Sequence, residues 1–310
     1  MAATTVTVPA PRVPVNSGVR RIWRAVRRNR KATAGVLLLL FFCFLGLFPG
    51  LIAGDNPNAE IYGRSMGISS AHPLGTTAYG QDIFAQVVWG TRQVLIIAFG
   101  AGLAATAIAA VVGVTAAYVG GATDGVLNLI TDVLLVIPLF PLLIVIAAYV
   151  QNSGTVVLIA VLTLTGWSYT ARQLRSQALT LRSRDFLEAA RVRGERPLYI
   201  IVVEILPTMI SLLLAAFLTN ALYAVLFASS LQYIGLGDPN ATSWGTMLYW
   251  AQNNEALQAG YYLQAIVPGA CIALLGAAFA LLNYAFDEIG NPALRPVRKI
   301  RSKHVQSATS

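Results

Sequence analysis

The chain has 310 residues, 56% of them hydrophobic and only 11% charged, against about 25% charged in an ordinary soluble domain, which its mean hydropathy of +0.65 also excludes. The formal net charge of +9 would suit nucleic acid only if the basic residues shared one folded face. Instead, eight of the 22 Lys and Arg lie in 12–31, seven in 172–196 and five from Arg295 onward, leaving only Arg64 and Arg92 elsewhere. Basic residues gathered between and beyond apolar runs mark the cytoplasmic side of a membrane protein. The expected partner is therefore a lipid bilayer, with no nucleic acid.

In chain order, residues 1–31 form a basic cytoplasmic tail whose second half carries Ile22, Trp23 and Val26 among arginines. That half either lies as an amphipathic helix on anionic headgroups or only fixes topology. Residues 32–52 are apolar and long enough, at ~31 Å of helix, to cross a bilayer as a retained anchor. Residues 53–92 are rich in Gly, Pro, Asn and Ser and are expected outside the cytoplasm. The five-helix core, 93–286, opens with a second span over 93–118, in which Gly100, Gly102 and Gly113 permit close helix contact. A glycine-rich turn at 120–125 leads to a third span, 126–150, kinked by Pro138 and Pro141. An outer turn at 151–154 precedes a short fourth span, 155–170. The polar loop 171–198 follows, then a fifth span over 199–228, an outer segment 229–262 without Lys or Arg, a sixth span 263–286 and a basic cytoplasmic tail 287–310. The expected fold class is an all-α polytopic membrane protein of six transmembrane helices with both termini cytoplasmic. Cys43 and Cys271 lie inside apolar runs and read as small hydrophobes.

The loop carries the chemistry. Its sequence DFLEAARVRGERPLYIIVVEILP, residues 185–207, predicts a short amphipathic helix stopped by Gly194 in a positive-φ conformation, with Pro197 starting the next helix. An amphipathic helix stranded between spans has to dock on something soluble. Ala189 and Ala190 offer a surface without bulk, and Asp185, Glu188, Arg191 and Arg193 offer charge to a partner, while Pro207 weakens the inner end of the fifth span.

Glu188-Ala189-Ala190, Gly194 and Leu206-Pro207 resemble the EAA loop of the transmembrane subunits of binding-protein-dependent ABC importers. Glu204 departs from the pattern, which has Ile there. Leu74-Gly75-Thr76, Gly80, Asp82, Gly90 and Arg92 are similar to the passage before the second span in the dipeptide, oligopeptide and nickel branch, as are 231–237 and Ser243-Trp244-Gly245; Thr77 and Gln81 depart. The resemblance covers about 32–292. It implies a type I importer permease fold in which 185–196 is a coupling helix seated in a cytoplasmic ATPase. It further implies a second homologous permease, two ATPase subunits that hold ATP and Mg, and an extracytoplasmic substrate-binding protein, in a bacterial or archaeal plasma (inner) membrane. Short peptides or nickel are the implied cargo. Ala228, standing where the branch often has an acidic residue, and the outer aromatics keep oligosaccharides open.

Further candidates are Asp132, Asn220 and Tyr223 along a translocation path, since ionisable or polar groups inside spans are costly; the alternative for Asn220 and Tyr223 is interhelical hydrogen bonding. Trp244, Tyr249 and Trp250 are candidates for an outer gate or binding-protein contact, the alternative being an interfacial aromatic belt. Catalytic, cofactor and metal sites are not expected. Lys31, Lys299 and Lys303 do not follow glycine, as a phosphate-binding loop requires, and His72 and His304 flank no carboxylate pair. A secondary transporter would need midplane ionisable groups and an internal repeat, and a channel a filter passage.

Overall fold

In lipid every backbone polar group must be satisfied within the chain, and the computed structural model answers with helices. It describes residues 29–54, 56–149 and 154–290, the last four as backbone alone. The expected N-terminal amphipathic segment, the turn at 151–153 and most of the basic tail 287–310 lie outside the described residues. Helix α1 is Arg30–Leu47, begun by the Asn29 side chain accepting from the Lys31 N–H (3.0 Å) and followed by a short turn of helix, Pro49–Ala53. Helix α2, Ile83–Val119, has 37 residues, about 55 Å, and starts well before the expected Gln93 because the Asp82 carboxylate caps the Phe84 N–H (2.9 Å).

The third expected span is two helices, α3 (Gly121–Val136) and α4 (Leu139–Tyr149), bent by 87°. Pro138 sits in the break and Pro141 in the first turn of α4, where a missing N–H is harmless. The predicted kink is thus close to a right angle. Helix α5, Thr155–Arg182, carries on through the first part of the expected loop. Helix α6 is Asp185–Val192 and α7 is Pro197–Thr208, π-helical over Ile200–Ile205. After a break at Met209, α8 runs Ile210–Tyr233. Pro207 explains this interruption, since its ring clashes with the preceding turn. Helices α9 (Trp244–Asn253) and α10 (Leu263–Gly290) complete the chain.

Among the described residues four helices are long and apolar enough to cross a membrane, or five if α3 and α4 count as one broken span. The expected fourth span, on α5, is not among them, because Gly166–Thr170 and then Arg172 dilute its apolar first half.

Helix α2 is the axis, packed along α5 and α8. At the end nearest α6, Ala105, Ala109, Val114 and Ala117 of α2 form one core with Leu174 and Ala178 of α5 and Ile200 and Ile205 of α7. At the opposite end, α1, α8, α9 and α10 close around Val87, Leu95 and Phe279. The backbones of α2 and α5 all but touch at Gly113, where an added Cβ would lie 2.4 Å from the Ala171 carbonyl oxygen. Gly113→Ala is therefore expected to destabilise the bundle by about 1–3 kcal/mol, read as a lowered melting temperature of the detergent-solubilised protein.

Candidate functional site

Helix α6 is eight residues with two unlike faces. Leu187 and Ala190 are fully buried in the core shared by α2, α5 and α7, while Asp185, Glu188, Ala189 and Val192 are exposed. The two alanines of the motif therefore part company. Ala189 lies on the outer face as expected, but Ala190 faces inward, its small side chain letting α6 lie against the protein's own core. Two main-chain bonds end the helix, Gly194 N–H to the Arg191 carbonyl (2.9 Å) and Glu195 N–H to the Ala190 carbonyl (3.2 Å), with Gly194 at φ +78°. This is a Schellman stop.

The charges on α6 divide in the same way. Arg191 lies 5.2 Å over the Tyr118 ring at the end of α2. Arg193 reaches Glu195 (3.8 Å) and Glu204 (3.7 Å), so the residue that departs from the EAA pattern ties the stop of α6 to the π-helical turn of α7. These pairs are half exposed, and each contributes less than about 1 kcal/mol. Among the described residues Asp185 and Glu188 have no ion-pair partner, and α6 presents them with Ala189 to whatever lies beyond.

Asp132, Asn220 and Tyr223, expected along one path, sit at separate levels, each joined to α5. Tyr223 shares a hydrogen bond with Thr165 (3.2 Å) and lies against Gly166. Asn220 is 3% exposed; its carbonyl accepts from Thr170 (3.0 Å) and its amide donates to Thr106 of α2 (3.0 Å). Asp132 pairs with Arg172. The same helix continues with Arg175, bidentate to Asp124 of α3 (2.7 Å for both bonds), and Arg182, which donates to the Ala117 carbonyl (3.3 Å). Arginines that the sequence placed in a loop are rungs between α5 and its neighbours. Spacing on a helix, at 172, 175 and 182, is the signal that could have shown it.

Sequence reasoning missed a polar recess of about 390 Å³ between α5, α8 and α10, lined by Tyr169, Arg172, Gln173, Thr219 and Asn283. The Asn283 amide donates to Thr219 (3.2 Å), and its buried carbonyl oxygen has no partner among the described residues.

At the far end of the bundle the aromatic candidates separate. Trp244 is fully buried, donating to the Val87 carbonyl (3.0 Å) and packed edge-on against Phe42 at 5.4 Å. It is a core residue and not an outer gate, because the Ser243–Thr246 capping box turns the first turn of α9 inward. Tyr249 is half-buried beside Gly235, and Trp250, 37% exposed, donates to the Pro239 carbonyl (3.1 Å). Ala228 is buried at 3% exposure among Leu158, Leu162 and Leu231. Its side chain does not face an outer mouth, which removes that residue from the question of cargo.

An all-helical bundle with several apolar spans and an amphipathic helix pressed against one end is the form of a multi-pass membrane protein. Residues 109–289 match the family described as binding-protein-dependent transport system inner membrane component, and the chain belongs to it. It is similar to the oligopeptide transport system permease protein OppC of Mycobacterium tuberculosis, at 29% identity over 279 residues, 89% of this chain and 95% of that protein. Similarity extends to the dipeptide transport system permease protein DppC of Bacillus subtilis, 28% identical across 91% of this chain and 88% of that one. The glutathione transport system permease protein GsiD of Pectobacterium atrosepticum is 31% identical, covering 89% and 91% respectively. The chain is thus an inner-membrane ABC importer permease of the peptide branch.

The Asn220 knot supplies a check on the geometry. Interhelical hydrogen bonds in lipid average about 0.6 kcal/mol each, so Asn220→Leu, which removes two, is expected to cost about 1 kcal/mol or somewhat more. A double-mutant cycle with Thr170→Val, followed by thermal unfolding, should return a coupling energy for the pair; independent effects would place the two side chains apart.

Proposed function

We propose that this chain forms half of an ATP-driven import path for short peptides, completed by a second homologous permease. Two cytoplasmic ATPase subunits, which hold ATP and Mg, drive it, and an extracytoplasmic binding protein delivers the cargo. The observation that carries this is α6. Its inner face is locked to α2, α5 and α7 by Leu187 and Ala190, while Asp185, Glu188 and Ala189 face outward, as a helix seated in a partner's cleft requires. The names of the relatives support peptides as cargo.

In this reading α5 is the fourth of six spans, and both termini are cytoplasmic. Its polar side chains at Thr163, Thr165, Ser168 and Thr170 are buried, and the exposed residues of its first half include Val156 and Leu164, which suits lipid. The recess between α5, α8 and α10 is the stretch of this chain that faces the cargo, with Tyr169, Gln173 and Asn283 as its polar lining.

The test is co-purification with candidate ATPase subunits, and ATP hydrolysis in the presence of binding protein and peptide, for the wild type and Glu188→Arg/Gly194→Leu. The variant should insert normally yet lose ATPase binding and stimulation by about tenfold or more, equivalent to about 1.4 kcal/mol. Gly194→Leu acts by straining a positive-φ position, and Glu188→Arg by reversing an exposed charge. A variant that couples as well as the wild type would remove α6 from the transmission path and bring an ion-driven transporter forward.

A further inference from the structure

At the end of the bundle away from α6, a recess of about 340 Å³ opens between the segment before α2, the loop before α9, and the start of α10. That is at the lower end of the range for small-molecule sites, about 300–1,000 Å³. Its floor is apolar and buried, formed by Ile83, Met247 and Ala251. Tyr79 and Trp250 make one wall, with their rings edge-on at 5.6 Å. Both are held from behind, the Tyr79 hydroxyl donating to Asn254 (3.3 Å) and the Trp250 N–H to the Pro239 carbonyl.

Carboxamides dominate the polar lining; Asn58 spends both ends on the Asn240 carbonyl and Thr242, whereas four others use one end to fix themselves in place. Gln86, 8% exposed, donates its amide to the Gln81 carbonyl oxygen (2.8 Å), and Gln264, 5% exposed, donates its amide to the Thr76 backbone carbonyl (3.3 Å). The Asn254 carbonyl oxygen takes the Tyr79 hydroxyl. In the hydrogen bonding of the described residues this leaves the carbonyl oxygens of Gln86 and Gln264 as acceptors, and the NH₂ groups of Gln81 and Asn254 as donors. Each end left over has capacity for a ligand.

Charge narrows the chemistry. Among the described residues no Lys or Arg lines the recess, and the one carboxylate there, Glu60, is exposed. A carboxylate or phosphate would want donors alone and an ammonium acceptors alone, whereas a hydroxyl both donates and accepts. Donors and acceptors in pairs, over an apolar floor and beside rigid aromatic rings, suit a ring of hydroxyl groups with apolar C–H faces. We propose that this recess binds a small uncharged sugar. The site is separate from the recess beside α5 and does not depend on the cargo being a peptide.

The experiment uses the full chain in lipid nanodiscs, with glucose and maltose as probes and N-acetyl-alanine N-methylamide as a capped-peptide control. Saturation-transfer NMR reports contact, and the tryptophan emission difference between the wild type and Trp250→Phe reports the site. A saturable sugar signal is expected with a dissociation constant near ~1 mM, a typical weak-site value of about −4 kcal/mol, together with a Trp250-dependent emission change. Gln264→Leu should weaken it about tenfold. Asn254→Ala, on the partly exposed wall, repeats the test without disturbing the buried floor, and an unchanged melting temperature certifies each fold. Absence of a saturable sugar signal overturns the proposal. So does binding of the capped peptide in place of the sugars, which would make the recess a seat for polypeptide, or sugar binding that both variants leave unchanged.

Discussion

Where α2 passes α5 there is no room for a side chain on Gly113, and the close approach it allows sets the rest of the structure. Lipid tails are as apolar as leucine, so helices in a bilayer gain little by hiding apolar surface from it and are held by close packing and interhelical hydrogen bonds. Alanines at 101, 105, 109, 110, 116 and 117 of α2 are all buried, giving a nearly smooth surface for α5, α7 and α6 to lie on. Leu187 and Ala190 add α6 to that surface, Leu187 filling space and Ala190 withholding it. A larger residue at 190 would lift the helix from the core, and with it the face that carries Glu188.

Helix α5 then works as a polar spine. Thr165, Thr170, Arg172, Arg175 and Arg182 each engage a neighbouring helix, namely α8, α8 again, α3, α3 and α2 in turn. Such side chains lower the apolarity of α5 and are costly in lipid when unpaired; paired with these helices, they fix its rotation and its height against three neighbours. The outer segment before α2 is fixed by different means. Gly75 and Gly80 hold positive φ, and an added Cβ would meet the Met66 and Tyr62 carbonyl oxygens at 2.5 and 2.4 Å. Asp82 caps α2, and Gly90 makes room for Trp244.

Helix content, the apolar runs and the stop at Gly194 were legible because hydropathy, a positive-φ glycine and two prolines act locally. Three things were not. Reading α5 as a span plus a loop followed the arginines, but a helix that pairs its charges with its neighbours carries them well beyond its apolar run. Trp244 was expected at an outer gate or binding-protein contact because it falls in the outer segment 229–262. Only the register of α9, set by the Ser243 capping box and Gly245 tight against Gln232, shows it pointing into the core. Glu204 looked like a mismatch to a motif, whereas its role is a contact with Arg193 eleven positions earlier, beyond the reach of any helical spacing.

The placement of the breaks follows from what is rigid. Helices α2, α5, α6 and α7, with Met209, share one core, so the proposed docking of α6 would be felt first by these elements. Two interruptions lie at the edges of that core. On one side Met209 separates α7 from α8, with the π-helical turn ahead of it; on the other the 87° bend separates α3 from α4. Both lie next to prolines, where backbone hydrogen bonds are already missing, and a change of angle there costs less than in a continuous helix. The recess lined by Tyr169 and Arg172 of α5 and by Thr219 of α8 lies across the first of these boundaries. The proposed docking of α6 would therefore reach this recess through α5, which shares a core with α6 and supplies Tyr169 and Arg172 to the recess.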